Sequence, residues 1–573
     1  VTEKEFGPWN PGIESQVPNE LRHLATIFRR DNVFTSIAAA AELRGLTGLS
    51  LSELVVFRPH RLALHELLVR VTADFAVPDG TRIADLGLNF REIARLLLSR
   101  YLDPARDSIE AAYLHASRAA NEIIESALPR LNRNWGPQEI AEFEKLAAVN
   151  PDPVAVAAYK SLARVMAALF TTQGAAWGTK DLIASISAGM IGNDFGSDCI
   201  GQAIAPLLQN AAREQGYKLL PRQEHPVVIN TKGPSASGKS TLRPLQKKLA
   251  GDIGLQWSDF ALISPDIWRK QLLDYASLGT AYKYAGAFTS DEVQMIDQKL
   301  DRYMASKNRR GDMSHLLIDR FRFDSFAPDS AEAGSNLLTR FGQTVYLFFV
   351  ITPPDMLVER AWKRGLEFGR YKAVDDTLAH SVEAYSGIPD VFFTWVRRSD
   401  KIIQFEFLDN TVQLGERPRT VAFGDNETFN VLDVKTTLDI DRYARIDVDA
   451  AGPELLYPEP VLLAPEKNVD FLQRCVRSFR WVNFAEQSTG RIYLRIESGQ
   501  PLQKERVAFE KAIESPDTLA AIRAVAPEAL TGHIPEAPRA AYLEALDGPG
   551  LQPTLGQWGS LSEKLAVPID VRR

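Results

Sequence analysis

Cysteine is nearly absent from this 573-residue sequence: only Cys199 and Cys475 occur. They stand far apart with no Cys/His cluster beside them, so neither a disulfide framework nor a zinc site is expected. Positive charge is in deficit. The formal net charge is −7, which removes the global electrostatic case for nucleic acid or an anionic membrane as a partner. Long apolar runs are missing as well. The most membrane-like stretch, Val165 to Trp177, contains Thr171, Thr172 and Gln173 between Arg164 and Lys180, and reads as too short and too polar to span a bilayer. No fixed-period repeat or low-complexity tract stands out. The chain begins at Val1 and no signal peptide can be read in it. What remains is the expectation of a cytoplasmic globular protein, long enough for roughly two to four domains.

The most informative stretch is Gly233-Pro234-Ser235-Ala236-Ser237-Gly238-Lys239-Ser240-Thr241. Its spacing is that of a phosphate-binding loop. Glycines let the backbone curl so that successive N–H groups face inward as an anion nest. A helix starting at Gly238 or Lys239 adds its free N–H groups and positive dipole end. Lys239 brings an ammonium to the β/γ-phosphates, and the Ser240 hydroxyl suits Mg²⁺. The flanks agree: Val227-Val228-Ile229-Asn230 reads as a buried strand, and Leu242, Leu245 and Leu249 have helical spacing. Pro244 is tolerable only if it falls in the first helical turn.

Texture divides the chain into three. Val1 to about Asn19 is a loose arm. From Glu20 to about Gln215 the pattern is helical, with breaks at Pro78-Asp79-Gly80, Gly136-Pro137 and Pro151-Asp152-Pro153. His65-Glu66 begins like a zinc-protease motif, but Val69 stands where the second histidine would be, so His60 and His65 read as ordinary helix histidines. From Pro221 short apolar runs alternate with amphipathic helices, the α/β pattern of a mainly parallel sheet. Strands are expected at Phe260–Ile263, His315–Ile318, Thr344–Ile351 and Ile402–Leu408. The fold class is therefore multidomain: an all-α N-terminal domain over 1–220, an α/β P-loop domain over 221–425, and a small α+β region over 426–573. In that last region Phe429–Val434, Ala444–Val448 and Arg491–Ile496 read as strands.

In such sheets ligands gather at the carboxyl ends of the strands. After the second strand come Asp266 and Arg269, and Asp266 is positioned to accept a proton from a substrate hydroxyl. Thr289 with Glu292 reads as a capping box opening a long helix, and the aromatic, basic Tyr282-Lys283-Tyr284 precedes it. The third strand ends in Asp319, like an acid that orients Mg²⁺, followed by Arg320 and Arg322. Alternation sends one of the pairs Arg320/Arg322 and Phe321/Phe323 inward. A helix from Thr352-Pro353-Pro354 carries Arg360 and Arg364 four residues apart, with Gly365 as its expected stop and Arg370 and Lys372 beyond. These arginines would form a lid over triphosphate.

Taken in order, these motifs resemble the P-loop kinases of the zeta-toxin class. The likeness rests on Gly233–Thr241, Asp266 with Arg269, Phe288-Thr289-Ser290-Asp291-Glu292, Leu317-Ile318-Asp319, Glu359-Arg360 through Arg364 to Gly369-Arg370, and His380 through Tyr385 to Pro389. It covers roughly residues 222–410. The resemblance implies transfer of the ATP γ-phosphate to a hydroxyl of a nucleotide-type metabolite, a UDP-activated amino sugar or NAD. By it Asp266 is the base and Lys239 the catalytic cation. ATP would lie on Gly233, Ser235, Ala236, Ser237, Gly238, Lys239, Ser240, Thr241, Arg360, Arg364 and Arg370. Substrate would meet Arg269, Asp319, Arg320 and Arg322, and Mg²⁺ would sit on Ser240 and Asp319. It also implies restraint by an antitoxin, or by the fused helical domain acting within the chain. Two other readings stay open: a nucleotide-gated regulator that phosphorylates no acceptor, and a polynucleotide or RNA kinase, which the acidic balance argues against.

Overall fold

The computed structural model describes residues 6–130, 135–174, 176–320, 336–413, 415–532, 534–536, 543 and 553–559. The chain is multidomain. Helices dominate the described residues between 37 and 215, and the expected breaks at 78–80, 136–137 and 151–153 fall between helices or at their first residue. One group of these helices has a core of its own, in which Leu162, Met166 and Leu169 meet Phe143, Ile183 and Ile186. Leu162, Met166 and Leu169 belong to the helix Pro153–Gln173. By length and composition alone that helix is long and apolar enough to cross a bilayer, more so than the Val165–Trp177 stretch implies. Half of its apolar window is buried inside the protein, as in a core helix.

Among the described residues ten strands form one sheet: β1 (Val227–Lys232), β2 (Phe260–Ile263), β3 (His315–Asp319), β4 (Thr344–Ile351), β5 (Ile402–Asp409), β6 (Arg419–Asp425), β7 (Thr428–Val431), β8 (Trp481–Ala485), β9 (Ile492–Glu497) and β10 (Gln500–Lys504). Their order is β10-β9-β8-β7-β6-β5-β4-β1-β3-β2. The five strands β2-β3-β1-β4-β5 are parallel. Both faces of this half are covered, which is why β4 reads Thr-Val-Tyr-Leu-Phe-Phe-Val-Ile without alternation. Val345, Leu347 and Phe349 join the core on one face, while Tyr346, Phe348 and Val350 pack with Leu242 and Leu245 on the other.

The expected boundary at 425/426 falls inside a hairpin. β5 pairs antiparallel with β6, and β6 with β7, so residues 426–504 extend the same sheet rather than forming an appendage. Phe405 and Phe429, from opposite sides of that boundary, stack with ring centroids 5.6 Å apart. No strand forms at Ala444–Val448; the helix Val434–Tyr443 ends there, and Ile446 packs in a small cluster with Val358 and Leu378. The N-terminal arm is docked: Trp9 packs on that same cluster, Lys283 Nζ donates to Pro11 O at 3.4 Å, and Glu14 N donates to Tyr284 Oη at 3.3 Å.

The long central helix, Ala285–Arg310, joins the helical region to the sheet. Thr289 and Glu292 lie inside it rather than at its start, so they cap nothing. Glu292 is fully buried and accepts from Arg61 at 2.5 and 2.7 Å. It also pairs with His65 Nε2 at 2.7 Å, while His65 Nδ1 lies 3.3 Å from Lys299 Nζ. Lys307 reaches Asp74 at 2.6 Å, and the Trp268 indole N–H reaches Thr72 at 3.1 Å. These contacts run between residues 59–74 and the α/β half.

Candidate functional site

The loop after β1 leaves the sheet at β1's carboxyl end, between β3 and β4, where the order of strands reverses. That is the switch point at which open α/β sheets present their ligand crevice. Three residues of the loop have positive φ: Gly233 (153°), Ala236 (66°) and Gly238 (93°). A side chain at 233 would collide with Val350 O at 2.7 Å, and one at 238 with the Asn410 amide. Asn410, just past β5, donates to Ser237 O at 2.7 Å and braces the loop from the far side. A 3-10 turn at Lys239–Leu242 leads into the helix Arg243–Asp252. Pro244 thus falls in the first turn, where its missing N–H leaves no hydrogen bond unmade.

Lys239 Nζ donates to Gly233 O at 2.9 Å and Pro234 O at 2.8 Å. Burial pulls its pKa down to about 8, against the fields of Asp319 and Asp266 and with those of Arg364 and Arg370. Asp319 lies 3.6 Å from Arg243 on the loop's helix. Asp266, beyond β2, accepts from Arg269 Nε at 2.9 Å and pairs with Arg370. The Asp266 side chain is 47% exposed, so desolvation opposes its charge only weakly, and Arg370 and Arg269 hold the carboxyl far below the ordinary carboxylate range. Arg269 is itself fixed to Gly286 O and Thr289 Oγ1 at 2.7 and 2.8 Å.

The arginine helix, Pro354–Phe368, ends at Gly369, which takes the left-handed conformation at φ 67°. Gly365, the expected stop, serves packing instead: a side chain there would strike the Tyr371 ring. The chain reverses at Gly369 and brings Arg370 and Lys372 back toward Arg364. Arg364 Nε is buried without a hydrogen-bond partner among the described residues. Burial and the neighbouring Arg370 push the Arg364 guanidinium down to about 9. Lys372 falls to about 7, through burial and the repulsion of Arg364, Arg370 and Lys239, against the pull of Asp376. Ser237 Oγ is likewise buried with no partner among the described residues.

Two expected site residues stand elsewhere. Arg320 is buried against Asp297 and Asp301 of the central helix, at 2.8 and 3.0 Å. Strand alternation explains this: Asp319 faces the loop's helix, so the next residue faces the opposite side. Arg360 donates to Asn410 O at 2.7 Å and Val412 O at 3.2 Å, bracing the segment after β5. Arg322 lies outside the described residues. In the other direction, Asn410 carries no expectation, and Lys372 and His380 are named in the sequence reading without being paired. Asn410 carries no motif, and its position becomes visible only once β5 is paired.

No family model matches the chain, and no curated protein does. The chain is similar to a solved structure from the PezAT chromosomal toxin–antitoxin system of the human pathogen Streptococcus pneumoniae, over 36% of this chain and 75% of that one, at 17% identity and a TM-score of 0.24. The arrangement here is a half-buried knot of cations at the carboxyl ends of parallel strands, with an acid held beside it. Chemically it suits a polyanion.

Proposed function

We propose that the protein is an ATP-dependent phosphotransferase acting on a hydroxyl of a nucleotide-type small molecule, UDP-amino-sugar-like or NAD-like, as the resemblance to zeta-toxin-class kinases implies. One observation carries the reading. Lys239, Arg364, Arg370 and Lys372 converge on one another, and in Lys239, Arg364 and Lys372 the protonated form is disfavoured by burial and mutual repulsion. A site strained by like charge is relieved by a bound triphosphate. Such positioning and charge neutralisation is most of what phosphoryl transfer asks of a protein.

In this reading the loop 233–241 holds the phosphates through its N–H groups, Lys239 and the unpartnered Ser237 hydroxyl. Arg364 and Arg370 close over them. Ser240 and Asp319 offer the hard oxygens that fit Mg²⁺, which when bound neutralises phosphate charge. Asp266 takes the proton of the acceptor hydroxyl as its oxygen attacks the γ-phosphorus, and ADP leaves with the bridging oxygen. The helical region, gripped to the central helix through Arg61 and His65, is the candidate intramolecular regulator; a separate antitoxin is the other partner of this class. The site of action is the cytoplasm.

A second reading, a nucleotide-gated switch, draws on the grip of Arg269 and Arg370 on Asp266, which weakens that carboxylate as a base. Labelled ATP with a panel of UDP-N-acetylglucosamine, NAD and short RNA, run on wild type and Asp266→Asn, separates the two. The kinase reading expects label transfer to one acceptor, falling by roughly 10²-fold or more in Asp266→Asn while ATP binding persists. ATP binding without transfer to any acceptor supports the switch.

A further inference from the structure

Beyond the loop and its arginines, Lys372 counts so far only as one more charge, and the residue that orients it has no assigned role. Lys372 Nζ is hydrogen-bonded to His380 Nδ1. His380 lies on the helix Val374–Val396. Asp376, one turn earlier on that helix, lies 3.8 Å from Lys372 and 3.9 Å from His380 Nε2. Both side chains of the pair are mostly buried. The groups facing Lys372 are Lys239 from the loop, Arg364 and Arg370 from the arginine helix and its return, and Asp376 from its own side. Of the other carboxylates nearby, Asp266 is engaged by Arg269 and Arg370, and Asp319 by Arg243.

The hydrogen-bond partner of Lys372 is an imidazole, and the nearest carboxylate, Asp376, stands beyond hydrogen-bond reach at 3.8 Å. Burial, then the charges of Lys372, Lys239 and Arg364, hold the His380 ring neutral, with its pKa down at about 2. A neutral ring nitrogen accepts one ammonium N–H and fixes the direction of the others without cancelling the charge. Orientation without neutralisation is what an anion ligand requires of a lysine. We propose that Lys372, oriented by His380, is a phosphate-binding residue of the cradle alongside Lys239. This rests on the triphosphate reading above and adds a ligand to it. Because Lys372 titrates near neutrality, an arriving polyphosphate favours its charged form, so binding takes up protons.

The test is calorimetric titration of ATP and of inorganic tripolyphosphate into the full chain, at about pH 7.5, in two buffers of different ionisation enthalpy. Wild type is expected to bind both with net proton uptake. Lys372→Met should weaken both by roughly tenfold or more and shed part of the uptake. His380→Asn, which keeps an acceptor, should retain more affinity than His380→Phe. Lys372→Arg should bind well with reduced uptake, and it decides the matter if the methionine variant is unfolded. Unchanged affinity and uptake in Lys372→Met, or unchanged uptake in Lys372→Arg, overturns the role of Lys372 alone. Wild type that binds neither probe overturns the triphosphate reading and this inference together.

Discussion

Glu292 and His65 show how a single residue ties the helical region to the sheet. The Glu292 carboxylate accepts two guanidinium hydrogen bonds and an imidazole N–H in full burial. Deleting one partner of such a cluster leaves a buried charge exposed to its neighbours, at about 3–5 kcal/mol. His65 serves as the neutral tautomer, its Nε2–H donating to Glu292 and its Nδ1 turned to Lys299. Burial, then Lys299, depress its pKa from 6.5 to about 4 against the pull of Glu292. Between those values the unfolded chain binds the extra proton and the folded one does not, so stability rises with pH across the window and is lost as pH falls through it. Thermal and denaturant unfolding between about pH 4 and 6.5 should show a loss on the order of 3 kcal/mol from this ring, and His65→Gln should flatten that slope. Identical slopes in the two proteins would contradict the account.

The phosphate loop is the element whose local rules are strictest. Gly238 stands at φ 93° with the Asn410 amide against the place a side chain would occupy. Gly238→Ala therefore meets backbone strain of about 1–3 kcal/mol and must push Asn410 off Ser237. Its ATP dissociation constant is expected to rise at least tenfold with a much smaller change in melting temperature, as read by nucleotide titration beside a thermal scan. The loop, its strand and its helix were legible in the sequence because their signals are local: spacing, an apolar run, Pro244 in a first turn. Residues whose roles depend on a distant element were not. Thr289 and Glu292 look like a cap until the helix is seen to start at Ala285. Arg320 looks like a ligand until strand pairing turns it toward Asp297 and Asp301. Gly365 looks like a stop until Tyr371 folds onto it.

At the scale of the whole molecule, β2, β4 and the bulk of β3 and β5 were also readable, since parallel strands covered on both faces appear as uninterrupted apolar runs. The continuity of the sheet through β6 to β10 was not, because hairpin pairing and the Phe405–Phe429 stack join residues across a change of texture. The central helix shares one core with the sheet residues Leu316 and Ile318, and Lys239, Asp266, Asp319, Arg364, Arg370 and Lys372 lie close enough for their charges to act on one another. The most direct test of the account is a crystal structure of the full chain with Mg²⁺ and a non-hydrolysable ATP analogue. The account predicts phosphates within hydrogen-bond distance of the 235–241 backbone N–H groups, Lys239, Arg364 and Arg370, with Asp266 facing the terminal phosphate. An ordered analogue bound away from that loop, with those four groups untouched, would contradict it.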